Sequence, residues 1–189
     1  MTKLILSSAF VLLSLASCKK DKDPDFPEQS PLADYLAAAG FTQKTTDLVN
    51  AGDYEFGIKF TPKVKGSIKK ITLKIPDNAA SVRVTIWDVT TKTAIRTETI
   101  ATVAKGIEKV QEITPLALNA GVNYMITYNG NDWYKRERTD AAPAPYPIKV
   151  GELTIDGYSW IGGTGQTFPT INDPKYYAGD IGFVFQQAK

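Results

Sequence analysis

The chain contains no histidine. That absence excludes Ser-His-Asp and Cys-His nucleophilic arrangements and His-ligated zinc. Any acid–base chemistry would fall to Asp, Glu, Lys or Tyr. There is a single cysteine, Cys18, so no intramolecular disulfide can form and the folded body must be held by its core alone. No run approaches the ~20 apolar residues a membrane-spanning helix needs. An excess of one charge is lacking too: 22 basic residues face 20 acidic ones. A near-neutral chain offers no general electrostatic reason to bind nucleic acid. Lys135-Arg136-Glu137-Arg138 is interrupted by its glutamate and reads as a solvated edge. Gly162-Gly163-Thr164-Gly165 lacks the Lys-Ser/Thr and the helix of a phosphate cradle, and reads as a hairpin loop.

What is present begins with an export signal. Lys3 supplies a positive start, Leu4 to Leu15 form a short apolar stretch, and Leu15-Ala16-Ser17 places small residues before Cys18. This is the layout of a secretory signal peptide over residues 1–17, and Lys19-Lys20-Asp21-Lys22-Asp23 ends it abruptly. Leu15-Ala16-Ser17-Cys18 resembles the lipobox of bacterial lipoproteins. The resemblance implies cleavage before Cys18, a thioether lipid on its sulfur and acylation of the new amine. Two or more acyl chains give stable membrane attachment, where one gives marginal attachment. Ser-Cys-Lys-Lys-Asp is similar to the start of lipoproteins of Bacteroidota, which implies a palmitate-bearing outer-membrane protein, open to display on the cell surface. Residues 18–30, rich in Lys, Asp and Pro, are expected to be a tether, because such a composition cannot bury enough surface to offset ordering entropy.

The remaining residues, 31–189, suit one domain. A short leading helix is expected over 31–40, with Ser30 as cap, Pro31 in the first turn, Leu32, Tyr35, Leu36 and Ala39 on one face, and Gly40 as the stop. Its apolar face should cover an end or edge of a sheet. Thereafter the period is two. Tyr54, Phe56, Ile58 and Phe60 alternate with Glu55, Gly57, Lys59 and Thr61. Further strands are read at Ile71 to Ile75, Val82 to Trp87, Val122 to Tyr128, Ile148 to Ile155, Tyr158 to Ile161 and Ile181 to Phe185. Half-buried strands separated by turn residues predict an all-β protein, an antiparallel β-sandwich of jelly-roll or Ig-like type with one short N-terminal helix. Ile68 is out of phase with Ile71, which predicts a bulge near Lys69-Lys70. Residues 129–147 and 162–180 lack periodicity and read as long loops, where binding residues are often carried.

Tyr54-Glu55-Phe56-Gly57-Ile58-Lys59-Phe60, Gly66-Ser67-Ile68, Val84-Thr85-Ile86-Trp87-Asp88 and Ala120-Gly121-Val122-Asn123-Tyr124 occur in that order. The order resembles the 4082 family of bacterial extracellular sandwich domains of unknown function, over residues 54–128. Its members share an E-x-G-x-x-F strand, a glycine-led second strand, a W-D strand end and an A-G-x-x-Y strand entry. The resemblance implies surface or glycan-related work and brings no catalytic residues. On physical grounds Gly57 and Gly66 suit close backbone approach or a bend. Trp87 is read as structural, covering a sheet edge or packing beneath the helix.

Chemistry is sought in the last third, where Trp133, Tyr134, Tyr146, Tyr158, Trp160, Tyr176 and Tyr177 lie among amides, acids and arginines. Aromatic faces suit the C–H surfaces of sugars, and polar side chains suit their hydroxyls. The competing reading is that these rings fill the core. Trp133, Tyr134, Arg136, Tyr158 and Trp160 are the candidate ligand-binding set. Asp132, Asp140, Asp156, Asp173 and Asp180, with Asn129 and Asn131, could supply oxygens to calcium, but no D-x-D-x-D-G run is present and turn chemistry explains them better. Glu137 and Glu152 are the nominal carboxylate pair for a glycosidase; any β protein contains such pairs, and no enzymatic activity, metal or cofactor is expected. The expected function is a non-catalytic, membrane-anchored surface lipoprotein that binds carbohydrate. The alternative is a structural or adhesive lipoprotein with a protein partner.

Overall fold

The structure is a computed structural model that describes residues 25–189. The signal peptide, Cys18 and the first part of the tether lie outside the described residues. In chain order the elements are β1 (Glu28–Gln29), α1 (Pro31–Ala39), β2 (Lys44–Leu48), β3 (Tyr54–Pro62), β4 (Gly66–Leu73), β5 (Ala79–Asp88), β6 (Thr93–Val103), β7 (Lys109–Leu118), β8 (Tyr124–Gly130), β9 (Trp133–Glu137), β10 (Ile148–Val150), β11 (Leu153–Gly162), β12 (Ile171–Asn172), β13 (Tyr176–Ala178) and β14 (Ile181–Gln187). Every strand pairing is antiparallel.

Two sheets make the sandwich. The larger runs β10-β11-β3-β8-β5-β6, with β12 added to β11; the smaller runs β1-β14-β4-β7. The alternation read from the sequence sets their facing sides. Phe56, Ile58 and Phe60 of β3, with Tyr124, Ile126 and Tyr128 of β8 and Val82, Val84 and Ile86 of β5, are buried in one continuous core with Ile68, Ile71, Phe183 and Phe185 of the smaller sheet. The Phe60 and Phe183 rings meet across the interface with centroids 4.5 Å apart. The expected bulge is present: Val184 pairs with Lys70 and Phe185 with Ile68, so Lys69 is the extra residue. It returns Ile68 to the buried side.

Helix α1 follows the reading except at its start. Pro31 opens it and Gly40, at φ +78°, ends it in the left-handed conformation. Ser30 makes no side-chain cap bond. The helix lies against β10 and β14, an edge strand of the larger sheet and the strand beside the smaller sheet's edge. Its buried Tyr35 ring packs on Tyr146 and edge-on to Tyr177. Among the described residues no helix is long and apolar enough to cross a membrane.

Three further expectations are corrected, and two strands are added. Residues 148–155 form two strands, because the chain turns at Gly151, φ +53°. Trp87 neither covers an edge nor touches the helix: β5 is paired on both sides, and Trp87 packs edge-on against Phe168 of the 163–170 loop. The supposed loops 129–147 and 162–180 contain β9, β12 and β13, and β2, β9 and β13 form a third sheet in the order β13-β9-β2. Strands β6 and β7 were not anticipated, because they are edge strands with most side chains in solvent and no buried stripe to read.

Candidate functional site

The third sheet places the site. Adjacent side chains on a strand point to opposite faces. On one face of the third sheet stand Trp133 and Lys135 of β9, with Leu48 opposite Trp133 and Ala178 opposite Lys135. This face meets the ends of β3 and β11, where Tyr54 and Phe56 pair with Gly162 and Trp160. Between them lies a cavity of about 240 Å³, lined by Leu48, Tyr54, Phe56, Trp133, Lys135, Tyr158, Trp160, Tyr176 and Ala178.

Its walls are aromatic. The Tyr54 ring stands edge-on to Trp133 at 5.1 Å and to Trp160 at 5.6 Å. Phe56 meets Trp133 at 5.4 Å, and Tyr158 meets Tyr176 at 5.4 Å. Such contacts fix the rings beyond what area burial alone provides. Trp133 and Tyr158 are buried and form the floor; Tyr54, Trp160 and Tyr176 are half-buried and retain reachable surface. Trp160 Nε1–H is buried with no acceptor among the described residues, a donor left over by the fold. Burial, and secondarily the charge of Asp173, pushes the Tyr176 hydroxyl up to about 12, so it stays a neutral donor and acceptor.

The candidate set therefore divides. Trp133, Tyr158 and Trp160 line one cavity. Tyr134 and Arg136 are excluded from it, because they take the alternate positions on β9. Arg136 makes a bidentate pair with buried Asp180 through Nε and Nη2 and bonds Thr45 Oγ1. Asp180 first, by hydrogen bonding, holds the Arg136 guanidinium above its ordinary value. Tyr134 lies beneath Lys74, 5.6 Å from its ring centroid. Alternation from Trp133 would have selected Lys135. Tyr54 and Phe56 were legible as inward-facing positions but not as walls of a site, since they lie far from Trp133 in sequence.

The acidic residues are dispersed in turn and pairing roles. Asp132 accepts from Asn50 N, Asp173 from Lys175 N, Asp156 from Thr61 Oγ1 and Asn123 Nδ2, and Asp140 from Arg138 and Ala142 N. No group of three or more acidic residues among the described residues is placed to hold a metal. Glu137 sits between Lys44 and Lys135, whereas Glu152 lies beside Lys63 in the β10–β11 turn.

On the outer face of the larger sheet the sequence motifs converge. Glu55 is fully buried; it accepts from Thr127 Oγ1 and, at 2.8 Å, from Arg83 Nη2. Trp87 Nε1 donates to the same threonine at 2.9 Å. The 163–170 loop covers this network. Arg83 donates to Thr164 O, Asn129 to Gly163 O, and Gln166 to Thr97 Oγ1. Burial outweighs Thr127 and Arg83 and raises the Glu55 carboxyl above its ordinary value. Beneath, Gly57 lies so close to β8 that a Cβ would stand 1.8 Å from Ile126 O. Asp88 closes the β5–β6 turn by accepting from Thr91 N, and Gly121, φ +74°, donates to Pro62 O. The motifs are thus architectural. They also hold the loop that follows β11, the strand that carries Trp160.

Comparison with known proteins gives one family. The family model described as Domain of unknown function (DUF4082) matches residues 41–178, a longer span than the 54–128 over which the motifs are legible. All nine residues that line the aromatic cavity fall within it. No curated protein matches the chain.

Proposed function

The chain belongs to the DUF4082 family, and from that premise we propose that it is a non-catalytic carbohydrate-binding lipoprotein, tethered to the outer membrane through Cys18. The observation that carries the binding half is the aromatic cavity. Three half-buried rings, Tyr54, Trp160 and Tyr176, border a recess of about 240 Å³. Cavities for drug-sized ligands run ~300–1,000 Å³, so this one suits a single sugar ring. Aromatic faces would stack on its C–H surface, and the Tyr hydroxyls and Lys135 would meet its oxygens. The anchoring half is supported by the order of charge, apolar stretch, small residues and cysteine at the start of the chain.

A protein partner is the second reading, because β6 and β7 are open sheet edges carrying exposed Ile95 and Val110, with exposed Ile107 in the turn between them. Both edges are blunted: β6 by a bulge at Ile95 and β7 by Pro115 and Glu112. That favours the sugar.

A glycan array probed with the purified protein tests the reading. Trp160→Ala should keep the fold and weaken the best glycan by about 2 kcal/mol, roughly thirty-fold in Kd. Unchanged affinity in both Trp160→Ala and Tyr54→Ala, with the melting temperature retained, would dismiss the cavity as the binding site. For the anchor, Cys18→Ala is expected to abolish palmitate labelling and to release the protein from the membrane fraction; continued labelling would dismiss lipidation at Cys18.

A further inference from the structure

We infer that the cavity selects an anionic sugar, a pyranose carrying a carboxylate, and that Lys135 reads the charge. This rests on the sugar-binding reading and narrows its ligand class. Among the described residues, Lys135 is the single charged side chain that lines the cavity, and no carboxylate lines it. Its ammonium lies 4.8 Å from the centroid of the Tyr176 ring, a partner that leaves the charge in place. The other partner is Glu137, whose Oε1 is 2.8 Å from Lys135 Nζ. Glu137 is shared, since Lys44 Nζ stands 3.2 Å from its Oε2. Two ammonium groups thus face one carboxylate, and the trio keeps one positive charge. The hydrogen bond from Lys135, ahead of that from Lys44, holds the Glu137 carboxyl below its ordinary value, so that carboxylate stays ionised at neutral pH.

That surplus sits at the edge of a mostly apolar recess, where water screens it less than it would on an open surface. The Lys135 side chain is one-third exposed, so a ligand can reach it. A neutral hexose would stack on the rings and leave the surplus charge unanswered. A hexuronic acid presents the same ring face to the aromatics and adds a carboxylate at the ring's edge. A lysine is a point charge on a flexible stem, adequate to read charge but not the planar fork that would demand one carboxylate geometry.

The test titrates the full chain with uronate trisaccharides of galacto, gluco and manno configuration. Each is matched by its methyl ester, which keeps the shape without the charge, and by its neutral hexose counterpart. At least one acid is expected to bind about tenfold tighter than its ester, and added salt should weaken the acid alone. Lys135→Met should bring the affinity for the acid down to that for its ester, and Lys135→Arg should restore the difference. Equal binding of acid and ester would overturn the charge selection while the sugar reading stands. A hexose 6-sulfate that binds tighter than every uronate would overturn the carboxylate assignment. Failure of all the saccharides to bind would overturn both.

Discussion

Gly57→Ala is expected to be among the most damaging single-methyl additions in the chain, lowering the melting temperature by roughly 10 °C or leaving the protein insoluble. The added Cβ would stand 1.8 Å from Ile126 O and 2.7 Å from Thr127 Cα. Both obstacles are backbone, so no side chain can swing aside. Strand β8 cannot retreat either, because it is paired with β3 on one side and β5 on the other. Overpacking a fitted interior costs ~1–3 kcal/mol and occasionally more, and a backbone obstacle belongs at the upper end. For a chain of this size each kcal/mol moves the melting temperature by about 2–4 °C. Gly157→Ala is the internal control. Its Cβ would meet nothing within 4 Å, and a Gly→Ala change at a compatible site is neutral or gains ~0.4–1 kcal/mol. Thermal melts of the two variants decide the matter; a Gly57→Ala protein that melts within 2 °C of the parent would refute the close approach.

Arg83→Met is expected to cost about 3 kcal/mol at pH 8 and much less at pH 4. Arg83 is the cation that faces the fully buried Glu55 carboxylate. Removing one member of a buried pair leaves an uncompensated charge, a loss of ~3–5 kcal/mol; because the Arg83 side chain is 28% exposed, the lower end applies. The pH dependence follows from the carboxyl itself. Burial already raises Glu55 above 4.5, so in the window above 4.5 the native state holds a proton that the unfolded state has released. Stability then falls as pH climbs from the unfolded value through the raised native one, and is level beyond it. Loss of Arg83 removes an influence that lowers the carboxyl, so the declining window should extend to higher pH. Glu55→Gln removes the titration, and the Arg83→Met/Glu55→Gln double variant should be more stable at pH 8 than Arg83→Met alone. Chemical denaturation at pH 4, 6 and 8 measures this. An equal loss at all three values would show that Arg83 acts by packing alone.

Gly57 and Glu55 lie in a segment that the sequence singles out by spacing, whereas Arg83 is brought to Glu55 only by the pairing of β5 and β3 with β8. The alternation from Tyr54 to Phe60 and from Val122 to Tyr128 placed the core correctly, because a strand with one buried face must repeat every two residues. The out-of-phase Ile68 disclosed the Lys69 bulge for the same reason. Strands β6 and β7 escaped notice because solvent reaches most of their side chains. Strand β9 is not legible in the sequence because it is only five residues long, and only its first is buried. Without the strand its two faces are not legible either, and nothing local separates Tyr134 and Arg136 from Trp133.

The sequence by itself determined the chemistry that is excluded, the inward phase of the main strands, the bulge, and the short helix with its glycine stop. All of these follow from composition or from neighbours a few residues apart, whose relation is set by local backbone geometry. The tertiary structure alone decided which aromatic side chains meet. Leu48, Tyr54, Trp133, Trp160 and Tyr176 come from five strands, and no local period relates them. They converge because the third sheet, β13-β9-β2, lies against the ends of β3 and β11. That placement depends on pairings between residues as far apart as Tyr54 and Gly162, a property of the whole chain's topology rather than of any segment.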